Sequence, residues 1–151
     1  MPVTLTLPDS YGLVVFAAGL GPLLTNLYMA GPVMAARKKY GVHYPNLYGV
    51  PGHHKDADSF NRVQRGHQNF MEINDSYIAM TLLGGLKYPI ACSLGVLCYC
   101  AGSMLYQKGY ADTSLDVQTA RYKKGGIIKW VGFLMSLVST CSLGGSLLGW
   151  F

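Results

Sequence analysis

The sequence predicts an all-α fold, a four-helix transmembrane bundle, from how little charge it contains and where that charge lies. Half of the 151 residues are hydrophobic and only 13% are charged, about half the charged share of a typical soluble domain. So few charges cannot cover the surface of a soluble protein. The abundance of apolar and aromatic residues excludes a disordered chain. The four Cys lie in apolar runs, which excludes a secreted disulfide scaffold.

Three spans follow from the distances between charges. Uncharged stretches of 27, 20 and 22 residues lie between Asp9 and Arg37, between Lys87 and Lys108, and after Lys129. A helix needs about 20 predominantly apolar residues to cross a bilayer. Each stretch is therefore predicted to be a transmembrane helix.

A fourth span is predicted from helical periodicity. The uncharged stretch 76–86 is short, but the helical pattern extends back to about Phe60 without a break. A helix over 60–86 is about 40 Å long at 1.5 Å per residue, so its first turns are expected to lie at headgroup level. The predicted helices cover about 10–36, 60–86, 89–107 and 126–150 within a single domain, 1–151.

Lys and Arg are concentrated in two of the three connections. Six lie in or near the first connection and five in the third, whereas the second holds only Lys87. The positive-inside rule places both basic connections on the cytosolic side and both termini on the other side. Topology therefore accounts for the net charge of +5, and the interleaved apolar spans argue against nucleic-acid binding.

The second predicted helix carries a stripe of polar side chains, formed by Arg65, Asn69, Glu72 and Ser76. Their spacing of i, i+4, i+7 and i+11 places them on one helix face. Insertion scales give a free-energy cost of about 2.5–3.5 kcal/mol for an ionised group at mid-membrane. This face is therefore expected to point into the bundle or into a water-filled cavity. Two interpretations remain open: an ion network within the helix, or a pocket whose Arg binds a carboxylate and whose Glu binds an ammonium.

A second polar group is predicted at the same cytosolic level. Arg37 and Lys38 end the first helix, and Tyr106 and Tyr110 lie one turn apart near the end of the third. Taken singly, such residues are often snorkelling cations or interface anchors. Their convergence with the Arg65 stripe favours a binding site.

Three motifs resemble those of the MAPEG family, the membrane-associated proteins of eicosanoid and glutathione metabolism. The family signature is R-A/G-x-x-N-x-x-E, and residues 63–72 read V-Q-R-G-H-Q-N-F-M-E, which is most similar to the type-three microsomal glutathione transferases. Residues 36–45 read A-R-K-K-Y-G-V-H-Y-P and resemble the end of the family's first helix. Residues 105–110 read L-Y-Q-K-G-Y and resemble its L-Y-x-x-G-Y motif. The resemblance covers about residues 10–150.

The resemblance implies a homotrimer that binds glutathione between neighbouring subunits near the cytosolic face, with two Tyr closing the pocket from the adjacent subunit. With Lys38 added from the helix rim, the predicted glutathione-binding residues are Arg37, Lys38, Arg65, Gln68, Asn69, Glu72, Tyr106 and Tyr110, and His67 is an alternative to Gln68.

The family stabilises the glutathione thiolate with an Arg at the start of the fourth helix. The nearest Arg in this chain is Arg121, which requires an insertion of three or four residues, and Lys123 or Lys124 is the alternative. The family usually has a further Arg three residues before Tyr106, where this chain has Ser103. A guanidinium cannot act as a base, but it stabilises an anion. The predicted catalytic residue is therefore Arg121.

The expected function is glutathione transfer to hydrophobic or lipid electrophiles, glutathione-dependent peroxidase activity, or both, through an activated thiolate. The alternative is a non-catalytic relative, either a lipid-binding protein or an accessory subunit of a larger membrane complex. The expected partners are glutathione, a hydrophobic electrophile and membrane lipid, without nucleic acid. The expected location is the endoplasmic reticulum, with a mitochondrial membrane as the alternative. No metal is expected, because Cys98 and Cys100 lie in apolar helix without His partners.

Overall fold

A computed structural model describes residues 6–150, and all regular elements in that range are helical. The four long helices are α1 (Tyr11–Tyr40), α2 (Ala57–Gly85), α3 (Pro89–Tyr110) and α5 (Ile128–Leu147); α4 (Ala120–Lys123) is a single turn between α3 and α5. The predicted all-α fold is confirmed. The short α4 was not predicted.

Each predicted long helix exists, with ends that differ by a few residues. α1 continues four residues beyond its predicted end and stops at Gly41, whose φ of 69° lies in the left-handed region that glycine adopts without a steric penalty. α2 starts three residues early, and the side chain of Asp56 accepts a hydrogen bond from the Ser59 amide at its start. α5 is shorter than predicted at both ends.

Three of the helices, α1, α3 and α5, are long and apolar enough to cross a membrane. α2 has the necessary length, about 43 Å at 1.5 Å per residue, but the polar residues of its first half lower its hydropathy. The chain is an integral membrane protein, as the sequence predicted.

The four long helices form a closed ring. α1 and α5 each pack against both α2 and α3, and α2 contacts α3 across the centre. Hydrogen bonds identify the two ends of this bundle. At one end Arg62, near the start of α2, contacts the carbonyl of Tyr110 at the end of α3; this is called the basic end, because both basic connections lie there. At the other, the Lys87 end, Tyr11 contacts the carbonyl of Leu82.

The bundle interior combines aromatic packing with close helix approach. The rings of Tyr77 and Tyr99 are stacked with centroids 3.8 Å apart, and Phe70 packs 5.6 Å from Tyr99. On α3, a Cβ at Gly102 would overlap the backbone nitrogen of Lys129 on α5. Small residues of this kind allow membrane helices to approach closely. This contact brings the first turn of α5, including Lys129, into the bundle interior.

Candidate functional site

The centre of the polar stripe on α2 is an ion pair. The Nη1 atom of Arg65 lies 2.6 Å from the Oε1 atom of Glu72, and the two side chains are 42% and 43% exposed. The amide of Gln68 donates to the same carboxylate oxygen at 3.2 Å, while its own oxygen accepts from the hydroxyl of Tyr48. The spacing predicted a shared face for these residues, and the structure places them in direct contact there.

The polar face of α2 also includes side chains that are exposed on the outside of the bundle. Glu72, Asp75 and Ser76 are exposed in the single chain. Within the described residues, Asp75 forms no ion pair. An ionised carboxylate cannot border lipid without a large free-energy cost. This face therefore requires water, a ligand or another protein surface against it.

Asn69 has a partner that the sequence did not suggest. The Nζ atom of Lys129, in the first turn of α5, donates to the Oδ1 atom of Asn69 at 2.6 Å. Lys129 is only 1% exposed, and its ammonium lies 4.6 Å from the ring centroid of Tyr106 and 5.1 Å from that of Trp130. Aromatic faces stabilise a cation at such distances. The only available signal was a Lys placed immediately before a 22-residue uncharged run.

Tyr106 lies between the polar stripe and α4. Its ring is buried and packs 6.2 Å from Tyr110 and 6.0 Å from Tyr122. Its hydroxyl is within electrostatic range of Arg65 and also of Arg121. The structure therefore brings Arg121 beside a predicted site residue despite the longer connection.

Arg121 has unused hydrogen-bonding capacity. Its guanidinium carbon lies 5.3 Å from the ring centroid of Tyr122, and its buried Nε atom has no hydrogen-bond partner in the part of the chain that the structure describes. Lys123 is exposed, and Lys124 forms an ion pair with Asp112 at 2.7 Å. Of these three cations, Arg121 is the one in contact with the aromatic cluster around Tyr106.

The buried side chain of Arg62 holds the connection between α3 and α4, which leads to Arg121, by hydrogen bonds to its backbone. It donates to the carbonyls of Tyr110, Asp112 and Leu115 at 2.7, 2.8 and 3.1 Å. The ammonium of Lys124 and hydrogen bonds from Ser114 hold the pKa of the Asp112 carboxyl well below its usual range. The sequence did not assign this structural role to Arg62, because its partners are backbone groups about 50 positions away.

Arg37 lies on a different side of α2 from the ion pair. Its guanidinium donates to the carbonyls of Val42 and Asn46 at 3.1 and 2.8 Å and packs over the rings of Tyr44 and Phe60. These bonds hold the end of α1 against its own connection. Within one chain, Arg37 is not brought to Arg65.

Two further predicted residues also face away from the ion pair. His67 is buried, and its Nε2 atom lies 2.6 Å from the Oδ1 atom of Asn26 on α1. Arg37 and His67 border the same cavity of about 190 Å³. Lys38 borders a separate surface cavity of about 450 Å³ near His53 and His54. Of the two alternatives for a further hydrogen bond, only Gln68 contacts the Arg65–Glu72 pair.

All the predicted residues except Lys38, which borders a separate cavity, form two groups in one chain. The ion-pair group on the outward face of α2 comprises Arg65, Gln68 and Glu72, with Asn69, Tyr106, Tyr110 and Arg121 beside it. Lys129, which was not predicted, joins this group through its bond to Asn69. The second group comprises Arg37 and His67 at the interface of α1 and α2. The first group combines an anion-binding guanidinium, a cation-binding carboxylate and amide groups, which can bind a small zwitterion.

A comparison with known families agrees with this arrangement. Residues 14–148 match the MAPEG family. The match covers all four long helices apart from the first turn of α1 and includes every predicted site residue. The chain belongs to the MAPEG family.

Proposed function

We propose that this protein is a membrane-embedded glutathione transferase, a glutathione-dependent peroxidase, or both, of the type-three microsomal group. The observation that carries the proposal is the half-exposed Arg65–Glu72 pair on a membrane helix of a MAPEG protein. An exposed ion pair commonly contributes only about 0.2–1 kcal/mol to folding, so stability gives little reason for this pair. This pair lies within one helix and remains accessible.

The charges of glutathione are complementary to this pair. The tripeptide carries two carboxylates and one ammonium, so the guanidinium of Arg65 can bind a carboxylate in a fork while Glu72 accepts the ammonium. Until the ligand arrives, the two side chains neutralise each other. Gln68 and the free amide nitrogen of Asn69 supply neutral hydrogen bonds to the peptide groups.

The proposed assembly is a homotrimer. The polar face of α2, with Glu72 and Asp75, is exposed in one chain and is incompatible with lipid contact. A neighbouring copy that covers this face also offers a way to bring Arg37 of one subunit towards Arg65 of the next. The site would then lie between subunits, with Lys38 at its cytosolic rim.

The proposed chemistry depends on the thiolate of glutathione, because the free thiol has a pKa near 8.5 and only the thiolate attacks electrophiles. Arg121 stabilises that anion with the positive charge of its guanidinium, whose Nε atom has no hydrogen-bond partner within residues 6–150. In transfer, the sulfur forms a bond to carbon and a leaving group departs. In the peroxidase reaction, two glutathione thiols reduce one hydroperoxide to an alcohol and water and become a disulfide.

The hydrophobic co-substrate would reach the sulfur from the membrane by partitioning, which raises its local concentration near the nucleophile. The proposed partners are therefore glutathione, a hydrophobic or lipid electrophile and membrane lipid. The proposed membrane is that of the endoplasmic reticulum, with a mitochondrial membrane as the alternative.

Purified protein in detergent or nanodiscs tests this proposal. We expect conjugation of glutathione to 1-chloro-2,4-dinitrobenzene, reduction of a fatty-acid hydroperoxide, or both, and loss of either activity in Arg65→Ala. Binding of glutathione without any turnover would contradict the enzymatic proposal and favour the non-catalytic alternative. Absence of binding would contradict the glutathione site itself.

A further inference from the structure

A groove with an amphipathic lining lies between α3 and α5, away from the site described above. It has a volume of about 530 Å³, within the roughly 300–1,000 Å³ range of small-molecule pockets. Its walls are apolar and include Ala91, Leu134, Met135 and Val138, and Tyr88 and Ser142 stand at its mouth. An adjoining cavity of about 500 Å³ shares Tyr88, Ala91 and Met135 and reaches Lys87.

The mouth of the groove carries a positive charge and several hydroxyl groups. The Nζ atom of Lys87 lies 3.1 Å from the Oγ atom of Ser142 and 2.5 Å from that of Ser146. The hydroxyl of Tyr88 lies 3.0 Å from the same Ser142 oxygen. Lys87 forms no ion pair with any acidic residue among 6–150. An exposed ammonium with only neutral partners retains its capacity to bind an anion.

The groove follows the helix axis for the depth of one membrane leaflet. Its α5 wall runs from Val131 to Ser142, a distance of eleven residue steps or about 16 Å at 1.5 Å per residue. The hydrocarbon core of a bilayer is about 30 Å thick, so one leaflet is about half of that. An acyl chain anchored by its headgroup at Lys87 therefore has the length needed to fill the groove.

The outer side of the groove is exposed in the single chain. The apolar residues Leu134 and Val138 are 54% and 64% exposed. We propose that this groove binds an anionic phospholipid, with its phosphate at Lys87, Tyr88 and Ser146 and one acyl chain between α3 and α5. This inference does not depend on the proposed glutathione activity.

The two Trp residues of the chain allow a direct test. Trp130 lies in the first turn of α5 at the basic end, and Trp150 follows α5 at the Lys87 end. In a Trp130→Phe background, the fluorescence of Trp150 reports lipid at the groove mouth. The protein is reconstituted with brominated phosphatidylglycerol or brominated phosphatidylcholine at equal mole fractions. We expect an apparent preference of about fivefold for the anionic lipid, the typical effect of one basic residue near a charged membrane surface.

Three variants distinguish lipid binding in the groove from a general effect of positive surface charge. Lys87→Gln should reduce the preference to about one, whereas Lys108→Gln, an exposed lysine near the other end of α3, should leave it unchanged. Ala91→Phe fills the groove and should also remove the preference while Lys87 remains. A preference that survives Ala91→Phe would show headgroup adsorption without groove binding and overturn the proposal. Equal quenching by both lipids in the parent protein, or none because a second copy covers the groove, would also overturn it.

Discussion

The ammonium of Lys129 on α5 donates to the side-chain oxygen of Asn69 on α2 at 2.6 Å. This bond joins α2, the most polar of the four long helices, to the first turn of α5. It leaves the amide nitrogen of Asn69 as the group that can still donate to a ligand. The rings of Tyr106 and Trp130 complete the surroundings of the buried cation.

Removing both partners of this bond should cost less than the sum of the two single losses. Asn69→Ala leaves a buried ammonium without a hydrogen-bond acceptor, and we expect a loss of about 2–3 kcal/mol in the free energy of unfolding. Lys129→Met leaves the Asn69 oxygen unsatisfied, at about 1–3 kcal/mol. The double variant Asn69→Leu/Lys129→Met should cost less than the sum, because a hydrophobic pair replaces a polar one. Unfolding in detergent measures all three, and strictly additive losses would show that the two residues are not coupled.

Arg65 and Glu72 should contribute to ligand binding and little to stability. The pair is more than 40% exposed, and exposed ion pairs commonly contribute about 0.2–1 kcal/mol to folding. We expect Arg65→Ala to retain its oligomer and unfolding midpoint while losing about 2–5 kcal/mol of glutathione binding, the usual cost of truncating a desolvated charge partner. Glu72→Gln should weaken binding in the same way. Intact binding together with a lowered midpoint would identify the pair as structural.

Arg121 should stabilise the thiolate of bound glutathione and contribute little to the affinity for glutathione. Arg121→Ala is expected to bind glutathione nearly normally but to lose the absorbance near 240 nm that bound thiolate gives, with about a tenfold loss of thiolate for each 1.4 kcal/mol of lost stabilisation. Turnover should recover partly at high pH, where the thiol ionises without help. The matched control is Lys123→Ala, an exposed cation two positions away. If Lys123→Ala or Lys124→Ala is inactive and Arg121→Ala is active, the insertion was placed wrongly.

The connection between α3 and α4 should loosen in acid. The pKa of Asp112 is lowered first by Lys124 and then by Ser114, so its stabilising contribution is complete above its unfolded pKa of about 3.9. That contribution is lost as the pH falls through the lower folded pKa. The amide of Ser114, which donates to Asp112 at 3.0 Å, should exchange hydrogen faster at pH 3 than at pH 5 after correction for the intrinsic rate. Asp112→Asn should show no such pH dependence, and equal acid loosening in this variant would assign the effect to another group.

The two ends of the bundle should lie on opposite sides of the membrane. Eleven of the twelve Lys and Arg residues lie at or near the first and third connections. In a background without the four native Cys, Lys55→Cys and Lys87→Cys should react with an impermeant thiol reagent from opposite sides, with Lys55→Cys labelled from the cytosol. Labelling of both from one side would contradict the predicted topology.

Charge spacing and helical periodicity were sufficient to predict the long helices and one face of the candidate site. An uncharged interval of about 20 residues is a local property that is sufficient to predict a membrane helix, so α1, α3 and α5 follow from the sequence. The contact between Arg65 and Glu72 is also local, because residues seven apart on one helix share a face. Their positions therefore followed from the sequence alone.

Tertiary structure decided which residues on neighbouring helices meet. The bond of Lys129 to Asn69 depends on the rotation of α5 and on its close approach to α3 at Gly102. Arg37 turns to the carbonyls of Val42 and Asn46 and not to Arg65. Periodicity determines which side chains share a helix face, but it does not determine which helix that face packs against, because helix rotation and axial shift follow from side-chain packing over the whole bundle.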